Sequence, residues 1–324
     1  MDSFSGNEKV SVALCTYNGA PFLLEQLHSI AGQTLKAAEI IVCDDASSDN
    51  TAEMIKHFAA SCAIPVRLFE NASNIGVMAN YSKAVELCRG SYIALCDQDD
   101  VWIPGKLEQS VEAMAGAVGK HGKDMPLLVH TDLTLVNERG EVIASSFLKY
   151  QRLVHLEEDP LKRLITQNYV TGSTILINRP LAREALPVPK GAIMHDWWLA
   201  LVAAAVGKIM FVPRPTVLYR QHGGNQMGAK GYYSTENLKR LGRLEALEER
   251  IARTISQGLA LEERLRERAN DGGPEYLYKY LSAASENGKK AFLVARRSGI
   301  GQAGFIRNII FLFLLAKGGY LKLL

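Results

Sequence analysis

The acidic segment Asp97-Gln98-Asp99-Asp100 directly follows a short apolar run at residues 92–95. Its three carboxylates in four positions repel one another unless a cation or a bound ligand compensates their charge. In an extended backbone, residues two apart face the same side, so Asp97 and Asp99 can converge on one metal ion. Mg²⁺ prefers oxygen ligands, usually one or two carboxylates together with substrate phosphates. The pattern is typical of a divalent-metal site, and a solvated acidic turn is the alternative.

Composition excludes several other classes of protein. The net charge of +3 over 324 residues is small, and no basic run is interleaved with aromatic residues, so we expect no nucleic-acid partner. Five cysteines form an odd set with no CxxC or Cys/His metal spacing. Residues 1–8 are polar and do not resemble a signal peptide. These features predict a cytoplasmic protein with reduced thiols.

The C-terminal segment has an unusual charge distribution. No apolar run in the sequence reaches the roughly 18–20 residues of a membrane-spanning helix. Residues 287–324 contain no acid, and their basic residues are Lys289, Lys290, Arg296, Arg297, Arg307, Lys317 and Lys322. This pattern favours peripheral contact with an anionic membrane at the inner face of the cell membrane, with Ile310, Phe311, Phe313 and Leu314 inserted. The alternative is a terminal helix that packs on the protein's own core.

The first hundred residues alternate between strand and helix patterns. Apolar runs predict strands at 10–14, 39–43, 66–69 and 91–96. Amphipathic segments predict helices at 21–33, from about 50, and at 77–88. Such alternation predicts βαβ units, and hence an α/β fold with a doubly wound, mainly parallel, Rossmann-like sheet.

This architecture gives a position to the polar residues. Ligands of open α/β sheets bind beyond the carboxyl ends of the strands. Strand one ends in Thr16-Tyr17-Asn18-Gly19, strand two begins its polar turn at Asp44-Asp45, and strand four ends in the acidic segment. All three turns therefore lie on one edge of the predicted sheet, which favours a binding site over a solvated turn.

The remainder of the chain is mixed. We predict a strand at 127–136, another within 168–178, a helix from Asp196 to about 206, and short strands at 209–212 and 216–220. Beyond Gly231 the character changes to an amphipathic helical pair, whose apolar stripe is Leu241, Leu244, Leu247, Ile251 and Ile255. We place the division near Gly228, with an α/β domain at 1–228 and a helical region at 229–324.

With these residues in place, the chain resembles the family 2 glycosyltransferases of the GT-A fold, most closely their rhamnosyltransferase-like bacterial members. Four ordered segments between about residue 9 and about residue 228 carry the resemblance. They are VSVALCTYN at 10–18 with Gln33-Thr34, IIVCDDASSDNT at 40–51, NIGVMAN at 74–80 and DQDDVWIP at 97–104. The last of these resembles the DxD metal motif of the family.

The resemblance implies a nucleotide-binding set. Tyr17 would stack near the nucleobase, with Thr16 beside it, and Asp45 would accept from the base N3–H. Gly76 would let the backbone approach the phosphates, although a plain turn glycine is the alternative. Asn80 belongs to the same glycine-containing segment.

The resemblance also implies the metal ligands. Asp97 would contact the ribose or the metal, and Asp99 would ligate an Mg²⁺ or Mn²⁺ ion that bridges the diphosphate. In the loop after the last strand, His222 could reach the metal and Arg220 the diphosphate. A plain surface histidine is the alternative for His222.

The general base is expected at the start of a later helix. Met194-His195-Asp196-Trp197-Trp198 matches the segment in which inverting members carry a catalytic carboxylate, with His195 in place of the usual first acid. Asp196 would then take the proton of the acceptor hydroxyl. Its alternative role is to cap the helix. One tryptophan is expected in the core, and the other would form the floor of the acceptor site.

The resemblance therefore implies a metal-dependent inverting transferase that uses a nucleotide-activated sugar. dTDP-L-rhamnose is the favoured donor and UDP-sugars remain open, with a saccharide or lipid-linked acceptor in cell-surface polysaccharide synthesis. One alternative is a nucleotidyltransferase, but the Gly-rich phosphate loop with Arg and Lys expected after strand one is missing from TYNGA at 16–20. The other alternative is a non-catalytic nucleotide-sugar-binding scaffold.

Overall fold

A computed structural model describes residues 9–223, 244–268 and 273–324. These residues form two compact units. The first comprises residues 9–147, 170–188 and 208–223, and the second comprises residues 148–169, 189–207, 244–268 and 273–324. The second unit thus includes two segments that precede residue 228. The predicted division at that residue falls outside the described part of the chain and stays a prediction.

All the described strands belong to the first unit and form one sheet. They are β1 (Val10–Thr16), β2 (Glu39–Asp44), β3 (Val66–Glu70), β4 (Tyr92–Cys96), β5 (Val101–Trp102), β6 (Leu127–Asn137), β7 (Val142–Ala144), β8 (Leu176–Asn178) and β9 (Lys208–Gln221). Along the sheet the order is β3-β2-β1-β4-β8-β6-β9-β5, and β7 pairs with β6. Strands β3, β2, β1 and β4 run parallel, as do β6 and β9, whereas β8 is antiparallel to both of its neighbours.

The parallel strands form the core because both of their faces are buried. Every residue of β1, β2 and β4 is buried, which matches the continuous apolar runs from which these strands were predicted. The helices of this unit are α1 (Leu23–Ala31), α2 (Thr51–Ser61), α3 (Val77–Leu87), α4 (Lys106–His121) and α7 (Arg179–Ala185). Helix α1 buries Leu23, Leu27 and Ile30, the predicted apolar face. The α/β fold with a mainly parallel, doubly wound sheet is confirmed, and helix α4 is an addition to it.

One prediction about the strands was wrong. The two short strands expected at 209–212 and 216–220 form the single strand β9, which pairs in parallel with β6. Pro213 and Pro215 interrupt the apolar pattern and have no N–H to donate. The ladder accommodates them with register shifts around Asp132, whose partner is Pro215, so the strand bends without ending.

The second unit is helical. Its helices are α5 (Phe147–Gln151, from its second residue on), α6 (Leu161–Leu164), α8 (His195–Val206), α9 (Leu244–Arg266), α10 (Glu275–Glu286), α11 (Gly288–Ser298) and α12 (Phe305–Lys317). Helices α9 and α10 agree with the predicted amphipathic pair, and α9 buries Ile251 and Ile255 of the predicted stripe. Leu241 of that stripe lies outside the described residues.

Helix α12 corrects the prediction about the C-terminal segment. Phe311 and Leu314, which were expected to insert into a membrane, are buried within their own unit. Phe313 is exposed and Ile310 is partly exposed. The helix therefore has one face packed within its unit and one exposed face, and both faces carry apolar side chains. Among the described helices, none is both long enough and apolar enough to cross a membrane.

Candidate active site

The turns that follow β1 and β4 are tied together by Gln98. Its side-chain oxygen accepts from the backbone N–H of Tyr17 at 2.8 Å, and its side-chain nitrogen donates to the carbonyl of the same residue at 3.0 Å. This pair of hydrogen bonds fixes the backbone of Tyr17 and leaves its ring half exposed. The exposed ring is available to stack on a planar ligand.

The turns that follow β1 and β2 are joined by a second set of hydrogen bonds. Thr16 is buried, and its hydroxyl donates to the carboxylate of Asp44 at 2.7 Å. The same carboxylate accepts from the backbone N–H and the hydroxyl of Ser47. The side chain of Thr16 therefore holds the β1 and β2 ends together, and its place in the nucleotide site stays a prediction.

Asp45 organises the loop before helix α3. One of its oxygens accepts from the side-chain amide of Asn71 and from the backbone N–H of Ile75, each at 2.8 Å, and the other accepts from the N–H of Gly76 at 2.9 Å. Gly76 has φ of 85°, a conformation that residues with a Cβ rarely adopt. The loop conformation, and not crowding, requires glycine here, because a Cβ at this position would meet nothing within 4 Å.

Asn80 supports this loop from the first turn of α3. Its side-chain nitrogen donates to the carbonyl of Cys43 at 2.8 Å, and its oxygen accepts from Asn71 at 3.0 Å. The side chain is buried. It therefore connects the end of β2 to the loop that carries Gly76.

Asp97 lies at the end of β4 beside a tyrosine that the sequence analysis did not identify. The hydroxyl of Tyr81 donates to the Asp97 carboxylate at 2.5 Å and also to the carbonyl of Cys96 at 2.7 Å. Burial, together with the negative charge of Asp99, raises the pKa of Asp97 to about 6, and the hydrogen bond from Tyr81 acts in the opposite direction. The carboxylate thus carries negative charge that its surroundings do not fully compensate.

Asp99 meets a residue from the loop after β9. Its Oδ2 atom lies 2.8 Å from Nε2 of His222, and the imidazole of His222 packs against Phe22 with 4.7 Å between the ring centroids. Both members of the pair are largely shielded from solvent. The predicted metal ligands Asp99 and His222 are therefore adjacent.

Arg220 fixes the turn that contains Asp99. Its Nε donates to the carbonyl of Asp99 at 3.2 Å, its Nη1 to the carbonyl of Glu138 at 2.8 Å and its Nη2 to the carboxylate of Glu25 at 2.6 Å. Its backbone N–H donates to the buried carboxylate of Asp100 at 3.2 Å. These contacts position the acidic turn, and they give no support to the predicted contact of Arg220 with a diphosphate.

The residues around Asp99 are chemically suited to a divalent cation. Carboxylate oxygens suit Mg²⁺ and Mn²⁺, and imidazole nitrogen is a frequent additional ligand. Burial, followed by the charges of Asp99 and Asp97, also raises the pKa of Asp100 well above its usual range, which indicates excess negative charge in this turn. Within the described ranges, no group of three or more His, Cys, Asp or Glu side chains has the arrangement of a metal site.

Asp196 lies in the second unit, in the first turn of α8. The N-cap of this helix is Met194, so Asp196 does not occupy the capping position considered in the sequence analysis. Its Oδ1 accepts from the N–H of Trp197 at 2.5 Å and from the side chain of Asn168 at 3.4 Å. The side chain of Asp196 is partly exposed, so its carboxylate is accessible from solvent.

The neighbours of Asp196 in α8 are buried. Burial lowers the pKa of His195 to about 3, so its imidazole is neutral at physiological pH. Trp198 is fully buried, and Trp197 is buried with its indole N–H donating to the carbonyl of Leu164 at 2.6 Å. Both tryptophans therefore meet the expectation of a core residue, and their burial gives the predicted acceptor floor no support.

The sequence analysis missed two contributors to this site. Gln98 belongs to the acidic segment, in which only the carboxylates were considered, and the structure forms a turn at residues 98–99 from which its side chain reaches Tyr17. Tyr81 follows Asn80 in the predicted third helix, but only the packing of that helix on the sheet places its hydroxyl beside Asp97.

The comparisons with known proteins agree with this geometry. Residues 11–119 match the family model described as Glycosyl transferase family 2. An uncharacterised protein of Mycobacterium bovis is 26% identical over 215 residues, which cover 66% of this chain and 59% of that protein. A dTDP-rhamnosyl transferase of Shigella flexneri, RfbG, is 25% identical over 71% of this chain and 78% of its own length. The chain thus spans less than two thirds of the mycobacterial relative.

Among solved structures, a mannosyltransferase of Pyrobaculum calidifontis in complex with GDP-Man and Mn²⁺ has a similar fold. The TM-score is 0.54 at 16% identity, and the similarity covers 98% of this chain and 81% of that chain. At this identity the likeness concerns the fold alone. The chain therefore has the GT-A fold, and its residues 11–119, which include the turns after β1, β2 and β4, match glycosyl transferase family 2.

Proposed function

We propose that this protein is a metal-dependent inverting glycosyltransferase. It transfers a sugar from a nucleoside-diphosphate donor to an acceptor hydroxyl. The observation that carries the proposal is the convergence of three turns at one sheet edge, within residues that match the family. Asp45 lies in the turn after β2, Asp97 and Asp99 lie in the turn after β4, and β1 lies between these two parallel strands, so the three acids share one edge of the sheet.

The donor's base would be bound by Tyr17 and Asp45. A carboxylate has about four lone-pair sites, and Asp45 uses three of them for Asn71, Ile75 and Gly76. One acceptor position is therefore left for the N3–H of a pyrimidine. Thr16 and Asn80 would contribute by holding the turns of this site in place.

The diphosphate would lie at the acidic turn. Asp97 and Asp99, with His222, would hold Mg²⁺ or Mn²⁺, and donor oxygens would complete the ligand set. A bound divalent cation would neutralise the charge that develops on the leaving diphosphate. Burial, followed by the charge of Asp99, raises the pKa of Asp97, and a bound cation would offset both effects by stabilising the charged carboxylate.

The acceptor hydroxyl would be activated by Asp196. Its carboxylate would take the hydroxyl proton while the oxygen bonds to the anomeric carbon and the bond from that carbon to the diphosphate breaks. Inversion at the anomeric carbon follows from this single displacement. The position of Asp196 at the N-terminus of α8 supports the role, because the helix dipole maintains the charged, proton-accepting form.

The favoured donor is dTDP-L-rhamnose. The sequence match to a protein named as a dTDP-rhamnosyl transferase, over most of both chains, supports this choice. A UDP-sugar is the second candidate, because uracil presents the same N3–H as thymine. We propose a saccharide or lipid-linked acceptor in cell-surface polysaccharide synthesis, met at the cytoplasmic face of the membrane.

The decisive experiment measures transfer directly. Purified protein is first screened by thermal shift with dTDP, UDP and GDP, with and without Mn²⁺, because a ligand of the native state raises its stability. The sugar donors of the stabilising nucleotide are then assayed for release of nucleoside diphosphate in the presence of candidate acceptors. We expect Asp99→Ala to abolish turnover and metal-dependent nucleotide binding, and the exposed-site control Asp124→Ala to retain both.

Three results would contradict the proposal. Turnover that persists in excess chelator would remove the metal role. Nucleotide binding without transfer to any acceptor would favour the non-catalytic scaffold, and release of pyrophosphate from a nucleoside triphosphate would favour a nucleotidyltransferase.

A further inference from the structure

Helix α12 exposes one continuous apolar face. The exposed fractions are 82% for Phe305, 55% for Ile306, 49% for Ile309 and 63% for Phe313. Residues three or four apart on a helix are neighbours on its surface, so these four side chains form one stripe. The opposite face of the helix, with Phe311 and Leu314, is buried. Exposed apolar clusters of this kind mark binding surfaces more often than isolated exposed residues do.

The chain around this stripe is basic. Residues 287–324 contain seven Lys and Arg residues and no acid. Lys290 lies 3.6 Å from Glu286 and Lys317 lies 3.3 Å from Glu248, two acids outside the segment. Helix α11, which packs against α12, also exposes Leu293 beside Arg296 and Arg297. Helices that lie in a membrane interface typically combine large apolar side chains with Lys and Arg.

We propose that this stripe, together with the basic residues of α11 and α12, docks the protein on an anionic lipid membrane. The apolar side chains would enter the boundary between the headgroups and the acyl chains. Arg296 and Arg297 would lie close to the lipid phosphates, whose negative surface potential attracts them. This deepens the proposed function, because a lipid-linked acceptor presents its sugar at such a surface, but docking itself requires no transfer chemistry.

Charge selects the membrane over a second copy of this chain as the occupant. Two copies that met through this face would bring two acid-free, basic surfaces together, and like charges would oppose the contact. An anionic bilayer offers the opposite charge and a large apolar interior. An anionic membrane can therefore bind both the apolar side chains and the basic side chains of this surface.

Vesicle co-sedimentation of the full chain tests this inference. Phosphatidylcholine vesicles with and without phosphatidylglycerol provide the anionic and neutral surfaces. We expect wild type to sediment with the anionic vesicles, less in high salt, and to bind neutral vesicles weakly. The variant Phe305→Gln/Phe313→Gln should bind at least about tenfold more weakly, because it removes two inserting rings. Arg296→Gln/Arg297→Gln should weaken binding most at low salt.

A matched control is available on strand β7. Val142 and Ile143 are also exposed apolar residues, but they belong to the first unit and follow the acidic residues Glu138 and Glu141, so Val142→Gln/Ile143→Gln should bind vesicles as wild type does. The inference is overturned if wild type ignores anionic vesicles, or if the stripe variant and the control bind equally. It is also overturned if size-exclusion chromatography shows a dimer that only the stripe variant loses, since the occupant is then a second copy.

The assay separates this inference from the proposed function. Transfer to a water-soluble acceptor, measured without vesicles, should be unchanged in the stripe variant, which also shows that the variant is folded. If the protein binds vesicles but has no transferase activity, the docking inference stands and only the proposed transferase function is overturned.

Discussion

The carboxylate of Asp99 and the imidazole of His222 lie 2.8 Å apart although 123 positions separate them in the chain. Strand β9 ends immediately before His222, and its antiparallel pairing with β5 brings it beside the acidic turn. Phe22 packs against the imidazole ring. The contact therefore depends on three elements that are distant in sequence, and it joins the DxD-like segment to the loop after the last strand.

The first prediction concerns this pair. If His222 shares the cation with Asp99, His222→Gln should weaken Mn²⁺ affinity by at least roughly 10–100-fold, the scale on which even supporting residues of metal sites act. Turnover at limiting Mn²⁺ should fall in parallel and recover partly at high Mn²⁺. Titration of activity against free Mn²⁺ measures both quantities. His57→Gln, at an exposed histidine of α2, serves as the control. An unchanged Mn²⁺ dependence in His222→Gln would show that His222 only packs beside Asp99.

The second prediction concerns Arg220 as a positioning residue. Arg220→Lys keeps the charge but loses the planar set of donors that reaches Asp99, Glu138 and Glu25. We expect the free energy of unfolding to fall by about 1–3 kcal/mol, since the buried side chain of Arg220 gives up its hydrogen bonds to the carbonyl groups of Asp99 and Glu138. Affinity for Mn²⁺ should fall as well, because the Asp99 backbone is released.

Glu25→Gln is the matched comparison for Arg220. The Glu25 side chain is 60% exposed whereas that of Arg220 is 6% exposed, so solvent screens their ion pair and it contributes little to stability. The conservative change at Glu25 should therefore leave stability and Mn²⁺ affinity nearly unchanged. A larger effect of Glu25→Gln than of Arg220→Lys would contradict the positioning role.

The third prediction concerns the loop held by Asp45. Asp45→Asn places an amide NH₂ among the donors Asn71, Ile75 and Gly76, so at least one of them loses its acceptor. The free energy of unfolding should fall by about 1–3 kcal/mol. Binding of the preferred nucleoside diphosphate, measured by calorimetry, should be lost.

Gly76→Ala separates loop geometry from base recognition. It should destabilise the protein by about 1–2 kcal/mol through its positive φ alone, because its Cβ would meet no neighbour within 4 Å. If loop geometry were all that mattered, Asp45→Asn and Gly76→Ala would weaken nucleotide binding equally. A selective loss in Asp45→Asn would support direct contact with the base.

Local patterns predicted the framework of this fold well. Strands β1, β2 and β4 are buried on both faces and read as continuous apolar runs, so their positions and their polar ends could be predicted to within about two residues. The same reasoning brought the three turns to one edge. The apolar pattern could not predict β9 as one strand, because the strand continues past its prolines through register shifts in its pairing with β6, which lies far away in the sequence.

The details of the site depend on tertiary contacts that local patterns do not contain. The ion pair between Glu25 and Arg220 joins residues 195 positions apart, and the hydrogen bonds between Tyr17 and Gln98 join residues 81 positions apart. Periodicity also could not assign both Trp197 and Trp198 to the core, since adjacent helical residues face different directions. Both are buried because helix α8 is enclosed on most of its sides, as its almost entirely apolar sequence allows.

The fourth prediction concerns Asp196. Asp196→Asn preserves the shape of the side chain and an acceptor for the N–H of Trp197, but removes the proton acceptor. Turnover should fall by roughly 10²-fold or more, the usual scale of general base catalysis, while the dissociation constant of the donor stays the same. Steady-state kinetics together with donor calorimetry measure the two effects. Equal losses of donor affinity and of turnover would instead assign Asp196 a binding or structural role.

The last prediction follows from the burial of His195. Its pKa of about 3 in the folded protein lies well below the ordinary value of 6.5. Between these two values the unfolded chain binds a proton that the folded chain does not, so stability falls as the pH is lowered through this window. His195 alone should reduce the free energy of unfolding by about 2 kcal/mol between pH 7.5 and pH 5.

Urea denaturation followed by tryptophan fluorescence measures this slope, because Trp197 and Trp198 lie in the same helix as His195. His195→Leu should make the free energy of unfolding less dependent on pH by about 2 kcal/mol over this range, whatever its effect on stability at pH 7.5. His57→Gln, at an exposed histidine of α2, is the control and should leave the slope unchanged. If His195→Leu and wild type lose stability in parallel as the pH falls, the imidazole of His195 must be protonated within the folded helix, and its burial does not control the acid sensitivity of this unit.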